Sequence, residues 1–106
     1  MAKYLWKANY VGEGLKGLIK DGGTTRRAVV EKMIKSMGGK LEVFYYAFGE
    51  TDLYCIADMP DNISAAAMAL IIAASGAVTL NTTVLMTPEE MDQAAKKTPG
   101  YRPPGK

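Results

Sequence analysis

The segment KLEVFYYAFGETDLYCIAD, residues 40–58, decides the fold of this 106-residue chain. Two runs rich in aromatic and apolar residues, Lys40 to Phe48 and Asp52 to Asp58, flank the sequence Gly49-Glu50-Thr51. Three residues containing a glycine are a common length for a hairpin loop. The segment therefore predicts two antiparallel strands joined by a short turn.

A strand and a helix precede this hairpin, and a helix and a strand follow it. Alternation of large and polar residues over Tyr4 to Tyr10 predicts the first strand, and apolar residues at helical spacing from Thr24 predict an amphipathic helix that stops at Gly38-Gly39. After the hairpin, Ser64 to Ser75 predicts an Ala-rich helix and Val78 to Met86 a last strand. This β-α-β-β-α-β order predicts an α+β, ferredoxin-like fold with a four-stranded antiparallel sheet.

The residues after the last predicted strand carry a helix start and then a Pro-rich end. Thr87-Pro88-Glu89-Glu90 places Thr at the N-cap, Pro at the first helical position and Glu at the third, which predicts a short helix. Three prolines within Thr98 to Lys106 predict an extended arm. We expect residues 1–106 to form a single domain, with residues 98–106 as its arm.

Gly12, Gly14 and Gly17 match the dinucleotide-binding pattern G-x-G-x-x-G and follow a predicted strand. In that motif the acidic ribose ligand ends a second strand about 20 residues further on. This chain has the middle of an amphipathic helix there. We therefore interpret the glycines as a loop with one short helical turn, and we predict no cofactor.

The composition excludes several classes of function. The chain has no His and one Cys, which excludes His-dependent catalysis, His or multi-Cys metal sites and an intrachain disulfide. Its net charge of +2 is too small to indicate nucleic-acid binding. The most apolar run, Ala65 to Ala74, is about half the length of a membrane span, and no secretory signal is visible. We expect a cytoplasmic protein without metal, membrane or nucleic-acid partners, in which Cys55 is buried and unreactive.

Apolar side chains fall on both faces of the predicted sheet, in the first, second and last strands. The two alternating sets of the second strand are Leu41, Val43, Tyr45 and Ala47 on one side, and Phe44, Tyr46 and Phe48 on the other. A sheet with one face in water shows a cleaner polar alternation. The pattern predicts that a second copy covers the open face in a homodimer. The second predicted helix is apolar nearly all round, and such a helix is normally covered on more than one side. The sequence therefore leaves open whether the dimers assemble into a higher homo-oligomer.

Six segments resemble the GYD-domain family and together cover nearly the whole chain. They are YVGEGLKGL (10–18), GGTTRR (22–27), GGKLE (38–42), FGETDLY (48–54), TTVLMTPEE (82–90) and YRPPG (101–105). The resemblance implies the dimeric α/β-barrel type of ferredoxin-like fold and self-association. It implies no particular activity.

The first predicted helix carries arginines in its first turn, where the helix dipole favours anions. Arg26 lies at the centre of the apolar stripe, so its guanidinium is expected to be buried and to need a partner. Two interpretations stay open. Arg26 forms a salt bridge with Asp52, Glu50 or Asp58, most readily Asp52, or it holds a bound carboxylate or phosphate together with Lys16 and the helix N–H groups.

Five residues form the candidate ligand site, between the sheet and the first helix. They are Lys16, Arg26, Tyr46, Asp52 and Tyr54. Asp52 and Tyr54 are two residues apart and are suited to orienting a polar ligand or transferring a proton. Alternatively, Asp52 caps the turn and Tyr54 packs against the sheet.

Three functions are compatible with these features. The first is a homo-oligomeric protein that binds a small anionic or aromatic metabolite. The second is a cofactor-free enzyme, of monooxygenase or isomerase type, acting on a small organic acid or phenol. The third is a structural or regulatory oligomer without a ligand, for which a sealed, fully salt-bridged interior is expected. The sequence leaves open whether the protein is an enzyme.

Overall fold

The computed structural model describes residues 1–106 and contains four strands and four helices. In chain order they are β1 (Ala2–Tyr10), α1 (Glu13–Asp21), α2 (Gly23–Ser36), β2 (Lys40–Tyr46), β3 (Leu53–Met59), α3 (Asn62–Ala74), β4 (Val78–Leu85) and α4 (Pro88–Lys96). The strands form one sheet in the order β2-β3-β1-β4, and every neighbouring pair is antiparallel. The predicted ferredoxin-like, α+β fold is confirmed.

The helix α1 corrects the prediction of a loop with a single helical turn. Two glycines with positive φ, Gly12 (51°) and Gly22 (86°), flank this nine-residue helix, whereas Gly14 and Gly17 lie inside it. A Cβ on Gly14 would clash with the backbone carbonyl of Ala77. The absence of a side chain therefore allows α1 to lie directly against the start of β4, a contact between distant parts of the chain that offsets the low helix propensity of glycine.

The core lies between the sheet and the helices. Tyr4 and Trp6 of β1 pack there with Ile34 of α2, Met59 of β3 and Met68 of α3. Only 11 of the 106 residues are buried, so the core is thin and many apolar side chains stay exposed.

A bulge in β2 changes the assignment of its side chains to the two faces of the sheet. The register shifts between Leu41 and Val43. Leu41, Phe44 and Tyr46 consequently face the helices, while Val43 and Tyr45 lie on the open face. The prediction that Leu41 shares a face with Val43 and Tyr45 is wrong, because strict alternation does not anticipate the extra residue of a bulge.

The open face of the sheet is apolar mainly on its β2–β3 half. The apolar side chains of this half are Val43, Tyr45, Tyr54 and Ile56, and Leu5 of β1 lies beside them. The polar half holds Lys3, Lys7, Asn9, Thr79, Asn81 and Thr83. In β4 only Leu85 is apolar on this face, because the other apolar residues of the strand pair with the helix-facing residues of β1. The predicted apolar character of both faces therefore holds most clearly for β2, whereas β1 and β4 each contribute a single apolar side chain to the open face.

The chain after β4 stands away from the rest of the protomer. α4 starts with the predicted capping box of Thr87 and Glu90, but it makes no substantial contact with any other element. Every residue from Met86 to Lys106 is exposed. The radius of gyration is 16.9 Å, compared with about 13 Å for a compact chain of 100 residues. None of the helices has the length and apolar character required to cross a membrane.

Candidate functional site

A cavity of about 410 Å³ lies between the sheet and the helices α1, α2 and α3. This volume falls in the range of about 300–1,000 Å³ that is usual for small-molecule sites. Of its 22 lining residues, 16 are hydrophobic, so the cavity favours an apolar occupant. The apolar lining includes Trp6, Ala8, Val29, Val30, Met33, Ile34, Leu53, Cys55, Met68, Ile71, Ile72, Val78 and Leu80.

The charged residues of the lining have partly or largely exposed side chains and therefore mark the mouth of the cavity. Nη1 of Arg26 lies 3.9 Å from Oδ2 of Asp21, with 31% and 41% of these side chains exposed. Oε1 of Glu13 accepts a hydrogen bond from Nζ of Lys16 at 3.2 Å. Each acid at the mouth is thus paired with a cation.

The predicted burial of Arg26 and its pairing with Asp52 are both wrong. Arg26 is half-buried, and its ion-pair partner is Asp21, the last residue of α1. The sequence did not predict α1 as a full helix. It therefore did not predict that the last residue of α1, Asp21, would lie beside the first turn of α2.

Asp52 has another role: its carboxylate accepts a hydrogen bond from the backbone N–H of Tyr10, and its own N–H donates to Oδ1 of Asn9. Asp52 therefore ties the hairpin to the end of β1.

Tyr46 and Asp52 line a second, neighbouring depression instead of the main cavity. Tyr10 and Leu18 line both. The hydroxyl of Tyr46 donates a hydrogen bond to the carbonyl of Gly23 at 3.1 Å. Burial, with the nearby Tyr10 hydroxyl, raises the pKa of Tyr46 to about 12, so this phenol keeps its proton at neutral pH.

Two of the five candidate residues lie outside both cavities. Lys16 is on the exposed side of α1, with 76% of its side chain accessible, and it is paired with Glu13. Tyr54 is on the open face of the sheet, opposite Tyr45 of β2. The structure thus places Arg26 at the main cavity and Tyr46 and Asp52 next to it, and it does not bring all five together.

Trp6 is a cavity residue that no motif in the sequence indicated. It is the only tryptophan of the chain, it is 5% exposed, and its ring stacks with Tyr4 at 5.7 Å between centroids. Its Nε1–H is buried without a hydrogen-bond partner. The alternation of β1 placed Trp6 on the same face as Tyr4, but an unpaired N–H depends on how several elements pack.

Cys55 also lines the cavity, and its predicted burial is confirmed. Burial raises the pKa of its thiol to about 11, so the unreactive protonated form dominates at neutral pH. No group of three or more His, Cys, Asp or Glu side chains is arranged to hold a metal ion.

The fold and the cavity define a ferredoxin-like, α+β protein with a ligand-sized space between its sheet and helices. The model of the GYD domain matches residues 4–95, which is most of the chain. The chain belongs to the GYD domain family, which confirms the resemblance found in its sequence. No curated protein and no solved structure is significantly similar to it.

Proposed function

We propose that this GYD-domain protein is a homo-oligomeric small-molecule-binding protein, and that an anionic or aromatic metabolite occupies the main cavity. The observation that carries the proposal is the cavity itself, about 410 Å³ with a mainly apolar lining and charged residues only at its mouth. Protein interiors are normally close-packed, and the lining of a void loses dispersion contacts. A ligand that fills the cavity restores those contacts.

A cofactor-free enzyme is the alternative from a different class. General acid–base catalysis is most efficient when the pKa of the catalytic group lies near the working pH. Cys55 and Tyr46 have pKa values raised to about 11 and about 12, far above neutral pH. These values favour binding over proton transfer by either group.

The interior of the protomer favours ligand binding over the third function, a purely structural oligomer. Such a protein needs no ligand-sized space, and the notable feature of this core is a cavity with a charged mouth.

Self-association itself is part of the proposal. Tyr45 and Tyr54 are 71% and 40% exposed on the open face of the sheet, and a second copy is the partner we propose for this surface.

Gly17 offers a way to block the cavity without damaging the fold. It lines the cavity from α1, and no atom outside its own stretch of helix lies within 4 Å of the position that its Cβ would take. The Cβ of a leucine therefore meets open space, and we expect the rest of its side chain to reduce the space for a ligand. Leucine is also favoured over glycine inside a helix by up to about 1 kcal/mol, so the Gly17→Leu protein is expected to stay folded.

The experiment is a thermal-shift screen of aromatic and organic-acid metabolites against the wild type, Gly17→Leu and the control Lys20→Leu. Lys20 is exposed on the same helix and does not line the cavity. A ligand at 100 times its Kd stabilises the folded state by about 2.7 kcal/mol. We expect a hit to raise the Tm of the wild type and of Lys20→Leu but not of Gly17→Leu. An equal shift in all three proteins would place the ligand elsewhere and contradict the proposal.

A further inference from the structure

We propose that the ligand of the main cavity is an uncharged, aromatic molecule that brings a hydrogen-bond acceptor, a carbonyl or phenolic oxygen, to Nε1 of Trp6. This inference rests on the proposed function. It selects the aromatic over the anionic metabolite and adds a specific polar contact.

The hydrogen-bonding state of Trp6 is the first argument. Its Nε1 is the one buried side-chain nitrogen or oxygen in the structure without a hydrogen-bond partner. Buried polar groups in native proteins are nearly always paired, because an unsatisfied donor costs free energy. The ring lines the cavity together with Met33 and Met68. Because Nε1 itself is closed to solvent, a ligand reaches it when flexible neighbours such as these two thioether side chains shift. An acceptor on that ligand would supply the missing partner.

The charges at the mouth are the second argument. Arg26 is the only cationic residue in the lining, and Asp21 already neutralises it. Glu13, the other acid of the lining, is neutralised by Lys16. A carboxylate inside the cavity would therefore lose its hydration without gaining a free cation. This balance disfavours an anion and favours an uncharged ligand.

The lining and the volume indicate the size and character of the ligand body. The aromatic rings of Trp6 and Tyr10 lie in the lining with the thioethers of Met33 and Met68. Aromatic rings pack favourably against both kinds of group. The cavity volume of about 410 Å³ equals that of about 14 water molecules in the liquid, which suits a molecule with one or two rings.

The test uses three probes of nearly equal shape: 2-acetylnaphthalene, 2-isopropylnaphthalene and 2-naphthoate. They present a carbonyl acceptor, no acceptor and a negative charge, respectively. Because the chain has one tryptophan, a ¹⁵N-labelled sample gives a single indole N–H signal in NMR. We expect the ketone to move this signal downfield and to bind about 3-fold to 10-fold more tightly than the hydrocarbon. The naphthoate should bind more weakly than the ketone.

The variant Trp6→Phe removes the N–H and keeps an aromatic ring. In this protein the ketone should lose its advantage over the hydrocarbon, while both still bind. If Trp6→Phe does not fold, the indole signal of the wild type decides the question alone.

Three results would overturn the inference. Equal binding of ketone and hydrocarbon with an unmoved indole signal would remove the contact to Trp6 but leave the cavity as a binding site. Tightest binding of naphthoate, weakened by Arg26→Gln, would establish an anionic ligand instead. Failure of all three probes to bind would refute the aromatic class, whereas the metabolite screen with Gly17→Leu judges the proposed function separately.

Discussion

Two glycines of α1, Gly14 and Gly17, differ in the space around them, and we expect their substitution to have opposite effects on stability. A Cβ at position 14 meets the carbonyl of Ala77, while a Cβ at position 17 meets nothing within 4 Å. We expect Gly14→Ala to lower the free energy of unfolding by about 1–3 kcal/mol through overpacking. The matched control Gly17→Ala should raise it by up to about 1 kcal/mol through helix propensity. Urea denaturation of both variants measures the difference, and equal values would refute the close contact of α1 with Ala77.

Arg26 is a second residue whose substitution has a defined outcome. Its ion pair with Asp21 is 3.9 Å long and partly exposed, and such pairs contribute about 0–1 kcal/mol. Arg26→Ala should therefore lower the free energy of unfolding by about 1 kcal/mol or less, and Asp21→Ala should have a similar effect. Breaking a buried pair costs about 3–5 kcal/mol. A loss of that size in chemical denaturation would contradict the weak, partly exposed pair that the structure shows.

Secondary-structure elements were predictable where their signals are local. The α4 capping box of Thr87 and Glu90 appears as predicted. The β2–β3 hairpin is also present, but its strands end at Tyr46 and begin at Leu53, so the connection is longer than the predicted loop of residues 49–51. The full length of α1 and the two faces of β2 were not predictable, because a distant contact with Ala77 and a bulge determine them. The same distinction between local signals and distant contacts applies to the candidate site. Arg26 lines the cavity, but its partner and the unpaired N–H of Trp6 depend on packing between elements.

The N-cap of α3, Asp61, makes the stability of the folded protein depend on pH in the acid range. The carboxylate of Asp61 accepts a hydrogen bond from the backbone N–H of Ser64 at 2.8 Å, and this bond lowers the pKa of Asp61 below its ordinary value of 3.8. A lowered pKa in the folded state means that the stabilisation is present above pH 3.8 and is lost as the pH falls through the folded-state pKa.

Two variants separate this pH effect from the cap itself. Asp61→Asn keeps an N-cap acceptor but cannot titrate, so the acid decrease in Tm should become smaller than in the wild type. Asp61→Ala removes the cap and should lower the Tm at neutral pH as well. Melting curves from neutral pH down to about pH 2 test both expectations. If Asp61→Asn follows the wild-type pH profile, the carboxylate is not the titrating cap.

The whole molecule exposes apolar surface on two sides, the open face of the sheet and the outer side of α3. Tyr45 and Leu70 represent these surfaces, with 71% and 69% of each residue exposed. Because neither residue is part of the protomer core, a lysine at either position should leave the fold unchanged. Tyr45→Lys should convert the expected dimer to a monomer in light scattering. Leu70→Lys should keep the dimer and remove any higher oligomer. A monomeric wild type at micromolar concentration would refute self-association altogether.

The segment of residues 87–106 provides the last test, because its contribution to stability depends on whether the protein self-associates. Within one protomer it has no substantial contacts, and Tyr101 is 76% exposed. Deleting it should leave the Tm of an isolated protomer unchanged. If α4 and the arm lie across a neighbouring copy, deletion should lower the Tm and the oligomer mass. It should also reduce the rise of Tm with protein concentration that association causes.

A shorter deletion of residues 99–106 distinguishes the arm from α4. Tyr101 supplies an apolar anchor, and Pro99, Pro103 and Pro104 reduce the entropy that the arm loses when it docks. We therefore expect the shorter deletion to reproduce part of the decrease in Tm and in its concentration dependence. Equal melting curves for the full chain and both deletions at every concentration would show that neither segment contacts a neighbour. A decrease confined to the longer deletion would assign the contact to α4, because α4 is the element that the shorter deletion retains.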